Sequence, residues 1–581
     1  MQPRYTHVSR STLKRDAMKL WLVAKQEIIA SFGNINACVN LTTDVWSAPH
    51  GVPGSYMCVT AHWIEPGTWQ MMKRVISFEE FPSPHTGGAL FKMLTKVLTN
   101  FNLEDKVMSI TLDNASNNTS AMDKLKLKYD PPMGGRFYHS RCVAHIINLV
   151  VQAGLGVPAI DAIIESFKTM LKDIFKSSAR TRQRYVKICK DAEKPCLRPN
   201  WDVPTRWNST YHMFLSGLKQ QTTLAYYHDV LANKNRCNHF SAESWVIIQS
   251  LTQLLEVFNN ATEILSGVYY PTSPLVLQQI FFMSTALSEY ELEGGILSSM
   301  IKPMKKKLRK YFQHMPSIIT CAAALNPCFN VNGVDYLIES ISRDLEFFDD
   351  TFASKSKSYF NESLEGLYNL YYAKYGNPTQ SSQTSGGATS SKVSGGNKYS
   401  RLLSGLKAHT KKKARTTDPT MSSEYERYVN SDFVTHLHPK DFASFDVLGF
   451  WKEKETMFPV LSRMAMDIIS VQASSVASES AFSTSGRVLS IRRTRLTPAS
   501  LEMCMCLKDH LDAKERKQDK CPLETPLDFE EGVFDDEVQQ NEAIPLSDEE
   551  IALDASSEGT MSPGGPRYDY MVSSEEAEDE Y

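Results

Sequence analysis

Residues 37–46 read ACVNLTTDVW, with alternating side chains at Val39, Leu41 and Thr43. A period of two is typical of a β-strand, so we predict a first strand here, with Asp44 at its end. Residues 55–64 (SYMCVTAHWI) and 69–81 (WQMMKRVISFEEF) are also β-rich. The Pro-Gly step at 66–67 predicts a turn between them, and therefore a hairpin.

A helix and a fourth strand are predicted next. Residues 86–101 place Leu90, Leu94 and Leu98 at helical spacing, and residues 106–112 (KVMSITL) form a short run that ends before Asp113. The order β-β-β-α-β is that of the first half of an RNase H-like mixed sheet. Other α+β folds share this order, so the pattern alone does not separate them.

Composition divides the rest of the chain. Helical periodicity dominates residues 155–440, and residues 376–397 are rich in Gly, Ser and Thr. The predicted organisation is an N-terminal helical segment (1–35), the first part of an α/β core (36–154), an all-helical insertion (155–375), a disordered Gly/Ser-rich and basic linker (376–425), a helical C-terminal region (426–515) and an acidic disordered tail (516–581).

The overall composition excludes several protein classes. Of 581 residues, 42% are hydrophobic and 22% are charged, which is typical of a globular protein and not of collagen, a coiled-coil rod or a wholly disordered chain. We find no apolar run near the roughly 18 residues that a membrane crossing needs, so no membrane association is expected. Eleven cysteines are too sparse for a disulfide scaffold, and no CxxC and HxxxH pair encodes a zinc finger.

Charge is distributed unevenly along the chain. Residues 521–581 contain 19 Asp and Glu and one basic residue, Arg567, so this segment carries −18 while the remainder carries +15. A basic body favours a polyanionic partner such as DNA, although a tail that only keeps the protein in solution fits equally. Residues 411–415 (KKKAR) form a candidate nuclear-import or DNA-backbone patch, or an exposed basic loop.

Two carboxylates are expected at one edge of the predicted sheet. Asp44 and Asp113 each follow a strand, and in an RNase H-like sheet those two strands are neighbours. Oxygen ligands suit Mg²⁺ or Mn²⁺, and such ions can promote phosphodiester chemistry. A third carboxylate is required, and its spacing does not identify it. An isolated Asp at a strand end is also a common turn residue.

Five short motifs resemble the hAT transposase superfamily, and in particular its RICESLEEPER-type, BED-finger-associated members. They occur in the family's order and are LTTDVW (41–46), LDNAS (112–116), RCVAH (141–145), TRWNST (205–210) and SVASESAFS (475–483). Each motif alone is modest, and together they extend over most of the chain.

The resemblance implies a catalytic triad of Asp44, Asp113 and Glu479, which would bind Mg²⁺ or Mn²⁺ as metal ligands. It also implies that the helical insertion interrupts the RNase H-like core, and that residues 426–515 complete that core and mediate formation of a homodimer or higher homo-oligomer. A nuclear location and DNA as partner follow from the same resemblance. The family's BED zinc finger has no counterpart in this sequence, so sequence-specific recognition of DNA ends is not predicted.

Further DNA contacts are predicted from the motifs, each with a structural alternative. Trp46 and Trp207 are candidates for stacking on unpaired bases, or core residues. His145 lies three residues after Cys142 and either supports the site near a phosphate or is a core histidine. The candidate phosphate-binding arginines, which are otherwise solvated loop residues, are Arg206, Arg487, Arg492, Arg493 and Arg495.

Three functions therefore remain open. The working hypothesis is a nuclear, DNA-binding, self-associating protein derived from a hAT transposase, with an Asp-Asp-Glu site. The alternative is an active metal-dependent transposase that cleaves DNA and transfers strands. A third is a protein-interaction scaffold that uses only its dimerisation surface.

Overall fold

The structure is a computed structural model that describes residues 8–47, 54–194, 196–203, 207–234, 240–347, 349, 351–376, 397–413, 423–435, 437–488 and 496–513, with only the backbone described at 47, 397, 411–413 and 483–488. A five-stranded mixed sheet forms the centre of its first part, in the order β3-β2-β1-β4-β5. The strands are β1 (Val39–Ser47), β2 (Ser55–Glu65), β3 (Gln70–Glu80), β4 (Val107–Leu112) and β5 (His139–Arg141).

Strand directions follow from the connections. The short turns make β1, β2 and β3 an antiparallel meander, whereas β4 returns through a helix and pairs parallel with β1, as β5 does with β4. The β-β-β-α-β order predicted from the sequence is confirmed. One detail differs, because β1 continues for three residues beyond Asp44, so that Asp44 lies within the strand.

Four helices surround this sheet, and they are α1 (Arg10–Asn34), α2 (Gly87–Asn100), α3 (Ser116–Tyr129) and α4 (Val143–Leu155). Helix α2 begins at Thr86, whose hydroxyl accepts the Ala89 N–H. Its predicted apolar positions Leu90, Leu94 and Leu98 are buried against the sheet. The hydrophobic spacing in the sequence therefore identifies both the helix and its buried face.

The region after α4 is entirely helical where the structure describes it, apart from short turns. Its helices are α5 (Pro158–Phe175), α6 (Ala179–Asp191), α7 (Trp207–Leu218), α8 (Gln221–Ala232), α9 (Ala242–Leu265), α10 (Val276–Glu293), α11 (Ser298–Gln313), α12 (Ser317–Ala324), α13 (Asn330–Asp344) and α14 (Phe352–Tyr375). Among the described helices, none alone has the length and apolar character to cross a membrane, although α4 and α5, bent by 90°, pass the same criterion as a pair.

Part of the predicted linker is folded. Residues 397–413 form helix α15 (Asn397–Lys413), in which Leu402, Leu403 and Leu406 are buried. The prediction of a disordered linker over 376–425 is therefore wrong for this stretch, because its apolar residues share one helical face. Residues 377–396 and 414–422, and the acidic tail from residue 514 onward, lie outside the described residues.

The C-terminal region is helical and packs on the sheet. It contains α16 (Glu424–Val429), α17 (Pro439–Ala443), α18 (Val447–Lys454), α19 (Pro459–Ile469), α20 (Val476–Val488) and α21 (Pro498–Asp512). The apolar residues that make it a candidate interface are largely used in the chain's own core. Trp451, Leu461, Met464 and Ile468 are at most 1% exposed.

Alternate residues of β1, and the residue just before the strand, contact this C-terminal region. We call these contacts the β1 seam. The Cys38 N–H donates to Asp467 Oδ1 (2.7 Å), and Asn40 Nδ2 donates to the Asp467 carbonyl (2.9 Å). Thr42 Oγ1 lies 3.0 Å from Ser478 Oγ. Because side chains two residues apart share a strand face, one face of β1 is completed by residues more than 400 positions away.

Helix α21 is attached to the opposite edge of the meander by a buried ion pair. Lys73 Nζ on β3 lies 2.8 Å from Asp509 Oδ1, and both side chains are at most 8% exposed. Asp509 Oδ2 also accepts the Val75 N–H at 2.8 Å. Removal of the carboxylate would leave a buried ammonium group without this partner, which is far more costly than the loss of a surface pair.

We therefore predict that Asp509→Ala lowers the free energy of unfolding by about 3–5 kcal/mol. Asp512→Ala is the matched control, because it breaks the exposed Lys508–Asp512 pair of the same helix and should cost less than about 1 kcal/mol. Urea unfolding followed by circular dichroism measures both. Equal losses in the two variants would contradict a stabilising role for the buried pair.

Candidate functional site

The three acids predicted as a triad lie on three adjoining elements. Asp44 is in β1, Asp113 directly follows β4, and Glu479 lies in the first turn of α20. Strands β1 and β4 are parallel neighbours, with Thr42 opposite Thr111, so the two aspartates lie at the same edge of the sheet. Helix α20 packs on β1 and β2. The structure thus brings Glu479 to the edge where the aspartates lie.

Helix α20 is held in place by the segment just before it. Thr111 Oγ1 donates to the Gln472 carbonyl (2.9 Å), and the Val143 N–H donates to the Ala473 carbonyl (2.8 Å). The Ser475 N–H points to Cys142 Sγ at 3.3 Å. These bonds fix the start of α20 to β4 and to the beginning of α4, which determines where Glu479 lies.

The electrostatics of Asp44 indicate that the three carboxylates interact. Burial, followed by the negative charges of Glu479 and Asp113, raises the pKa of Asp44 to about 8 from its ordinary value of 3.8. Without a cation, this carboxyl group is therefore largely protonated at neutral pH. A bound divalent cation would favour its ionised form, because opposite charge stabilises a carboxylate.

Each carboxylate also has a local hydrogen-bond partner. Asp44 Oδ1 accepts the N–H of the next residue, Asp113 Oδ1 accepts Asn118 Nδ2 (2.5 Å), and Ser475 Oγ donates to Glu479 Oε1 (3.0 Å). Oxygen-only donors fit Mg²⁺ or Mn²⁺ chemically. However, within the described residues no three His, Cys, Asp or Glu side chains are already arranged as metal ligands. Metal binding would therefore require these carboxylates to approach one another more closely than they do here.

The ring of Trp46 packs against the helix that carries Glu479. It stacks on Phe482 with 5.6 Å between ring centroids and an interplanar angle of 11°, and it is half-buried. Trp46 and Asp44 thus share a strand face, as expected, and meet positions 482 and 479 of α20. In this conformation the indole ring packs against α20. The contact of a DNA base with the exposed part of the ring stays a prediction.

Trp207 is 2% exposed at the start of α7, so its ring cannot stack on a base in this conformation. The structure thus favours the alternative of core packing, and a contact of Trp207 with DNA stays a prediction. The neighbouring motif residues have a structural role, because Ser209 Oγ (3.2 Å) and Thr210 Oγ1 (2.5 Å) both donate to Asp202 Oδ1. Lys168 Nζ lies 2.5 Å from the other oxygen of Asp202. The motif therefore anchors the start of α7.

Cys142 and His145 do not form a metal-binding pair on one helix. Cys142 is the residue before α4, and it is fully buried. Burial, followed by the charge of Glu479, raises the pKa of its thiol to about 12, so the thiol stays protonated and serves as a neutral contact for Ser475. His145 is half-buried in the first turn of α4, and its predicted role near a phosphate stays a prediction.

The predicted phosphate-binding arginines lie at the limits of the described residues. Arg206, Arg492, Arg493 and Arg495 fall outside them, as does the side chain of Arg487 in the last turn of α20.

Sequence reasoning missed the serines that hold α20. Ser475 precedes Glu479 by four residues, one helical turn, and this spacing is the signal that identifies it as a partner of the carboxylate. Ser478 carries no comparable signal.

We predict that Glu479→Gln lowers the pKa of Asp44 more than Asp113→Asn does, because Glu479 contributes the larger charge effect. The readout is the pH titration of the protonated-carboxyl infrared band that Asp44→Asn abolishes. Since the folded pKa exceeds the unfolded one, this group's contribution to stability falls as pH rises from about 4 to about 8, and Glu479→Gln should flatten that fall. A larger effect of Asp113→Asn would contradict this order.

Comparison with known families agrees with this architecture. Residues 42–133 match the ZBED1 RNase-like domain, residues 140–254 match the ZBED1 RNase-like helical domain, and residues 424–511 match the hAT family C-terminal dimerisation region. The predicted fold, an RNase H-like sheet followed by a helical region and a C-terminal dimerisation region, is therefore confirmed.

Relatives match along nearly the whole chain. A putative AC transposase of Zea mays is 27% identical over 525 residues, which cover 89% of this chain and 62% of that protein. The RICESLEEPER 2 protein of Oryza sativa subsp. japonica, a zinc finger BED domain-containing protein, is 25% identical over 531 residues, covering 88% of this chain and 70% of that protein. The chain thus spans less than two thirds of the AC transposase. Together, the matched domains and relatives support a transposase-derived protein of the hAT superfamily that is RICESLEEPER-like.

Proposed function

We propose that this chain is a nuclear, DNA-binding, self-associating protein of transposase descent, with a carboxylate site for Mg²⁺ or Mn²⁺. The observation that supports the proposal is that Asp44, Asp113 and Glu479 lie on adjoining elements at one edge of the sheet, although Asp113 and Glu479 are 366 residues apart in sequence. The raised pKa of Asp44, caused first by burial and then by the charges of the other two acids, agrees with this placement. A packed helix end has no structural need for three interacting carboxylates. Such clusters are typical of functional sites.

The chemistry of the proposed site follows from its donors. When bound, a divalent ion would activate a water or 3′-hydroxyl nucleophile and stabilise the leaving oxygen of a phosphodiester. The chain's own contribution is to orient the carboxylates. Ser475 orients Glu479, and Asn118 together with the Ala115 N–H orients Asp113.

An active transposase is the second candidate, favoured by the presence of all three acids. Duplex DNA that carries the genomic sequences on either side of the gene, tested with Mg²⁺ or Mn²⁺, distinguishes it from the first. Cleavage by the wild-type chain that Asp44→Asn abolishes would establish the enzyme. DNA binding without cleavage supports the non-catalytic protein, and the absence of both leaves only a scaffold.

We predict that Asp44→Asn and Glu479→Gln each weaken Mn²⁺ binding by roughly tenfold or more, because each removes a charged oxygen ligand. Isothermal titration calorimetry of the full chain measures the dissociation constant. Asp512→Asn is the control, since that exposed carboxylate lies in α21 and should leave Mn²⁺ affinity unchanged. Wild-type affinity in both site variants would exclude this metal site.

The proposed self-association surface lies where α1 packs on α21. Because most apolar residues of the C-terminal region are buried within the chain, they are not available to a partner. Leu13 (64% exposed), Leu20 (61%) and Val23 (58%) on α1 and Leu511 (50%) on α21 remain accessible. The two helices are in contact, and α21 belongs to the matched dimerisation region. These side chains would gain free energy from burial against a second copy.

The double variant Leu20→Glu/Leu511→Glu should shift the protein from dimer to monomer, because burial of a charge at the interface is unfavourable. Size-exclusion chromatography with light scattering measures the mass. Leu292→Glu is the control, because that leucine is 89% exposed on α10, away from the proposed surface. A wild-type chain that is monomeric, or a double variant that remains dimeric, would refute this interface.

A further inference from the structure

Helix α6 presents a basic, arginine-rich surface. It carries Arg180, Arg182, Arg184, Lys187 and Lys190, all exposed, and Asp191 is its one acidic residue. The surrounding sequence has the same bias, because residues 172–198 contain nine Lys and Arg against three Asp and Glu. The predicted DNA-contact residues do not include any residue of this helix.

The cations of α6 are not neutralised by neighbouring acids. Within the described residues, none of these five side chains forms an ion pair or side-chain hydrogen bond. Some other surface cations of the chain are paired, such as Lys357 with Glu339 (2.5 Å) and Lys508 with Asp512 (2.6 Å), whereas the lysines at 302, 306 and 310 of α11 are exposed like those of α6. The repulsion among adjacent unpaired cations is a cost that an anionic ligand would remove.

The opposite face of α6 is firmly packed. Thr181, Tyr185 and Cys189, spaced by one helical turn, are buried against α5 and α8. Tyr185 OH donates to Gln220 Oε1 (3.1 Å), and the Thr181 carbonyl accepts the hydroxyl of a tyrosine of α8 (3.0 Å). Because the buried face is held by hydrogen bonds, the basic face has a fixed orientation, which lowers the entropic cost of binding a rigid partner.

We infer that this face of α6 binds the phosphate backbone of duplex DNA, an inference that rests on the DNA-binding function proposed above. Arg180, Arg184 and Lys187 follow one stripe at i, i+4 and i+7, which extends over about 10 Å of helix. Arginine forms bidentate hydrogen bonds with phosphate, so two of the three positions carry the side chain best suited to it. Contacts of this kind position DNA and read no sequence.

The test compares two charge-reversed versions of the full chain, each with the same change in net charge. Arg180→Glu/Arg184→Glu/Lys187→Glu alters α6. The control Lys302→Glu/Lys306→Glu/Lys310→Glu alters another exposed stripe, on α11, at i, i+4 and i+8. Fluorescence anisotropy with a duplex of arbitrary sequence measures the DNA association constant at several NaCl concentrations, and circular dichroism checks folding.

We expect the α6 variant to bind duplex DNA more weakly than the wild-type chain. The slope of log K against log [NaCl] should become less steep by ~2.7, because each of the three lost phosphate contacts accounts for about 0.9. The α11 control should retain most of the wild-type slope, and Arg180→Lys/Arg184→Lys should also keep it. An α6 variant with the wild-type slope, or an equal loss in both charge-reversed variants, would overturn the inference. A wild-type chain that does not bind the duplex would instead refute the DNA-binding function itself.

Discussion

The β1 seam is the constraint on which the rest of the structure depends. One strand in the first tenth of the chain supplies a polar face that residues 467–482 cover, through the carboxylate of Asp467, the hydroxyl of Ser478 and the ring of Phe482. Burial of a polar group without a hydrogen bond is costly, so each partner stabilises the other in this position. The long helical insertion is tolerated because its ends return to the same strand.

The seam also explains how Glu479 comes to lie near the two aspartates without a local sequence signal. Thr42 and Trp46, on either side of Asp44, contact Ser478 and Phe482 of α20. Glu479 lies between these two helix positions. Its placement is therefore a consequence of packing. The raised pKa of Asp44 is the electrostatic cost of that packing, and the local hydrogen bonds of the three carboxylates reduce the cost in the absence of a cation.

The first four strands and their order along the chain were predictable from sequence because alternation and turn residues act locally, whereas β5 was missed because its three residues are too few to show alternation. The triad was reached only through the resemblance, since no physical rule relates Asp113 to an acid 366 residues later. The motif around Trp207 could not reveal its burial, because a motif conveys residue identity and not exposure. Helix α15 was missed because its short apolar stripe follows a long Gly/Ser-rich segment that dominates the local composition.

Because one face of β1 packs on the C-terminal region, truncation of the gene has a structural consequence. A premature stop codon before Asp467 would remove far more than the C-terminal helices, because it would also remove the groups at 467 and 478 that bond to the Cys38 N–H, the Asn40 amide and the Thr42 hydroxyl. Such a product would be a substrate for proteolysis and not a stable fragment that competes with the full-length protein. Variants that alter the proposed carboxylate site while the fold is kept are therefore expected to be single substitutions at the carboxylates and not truncations.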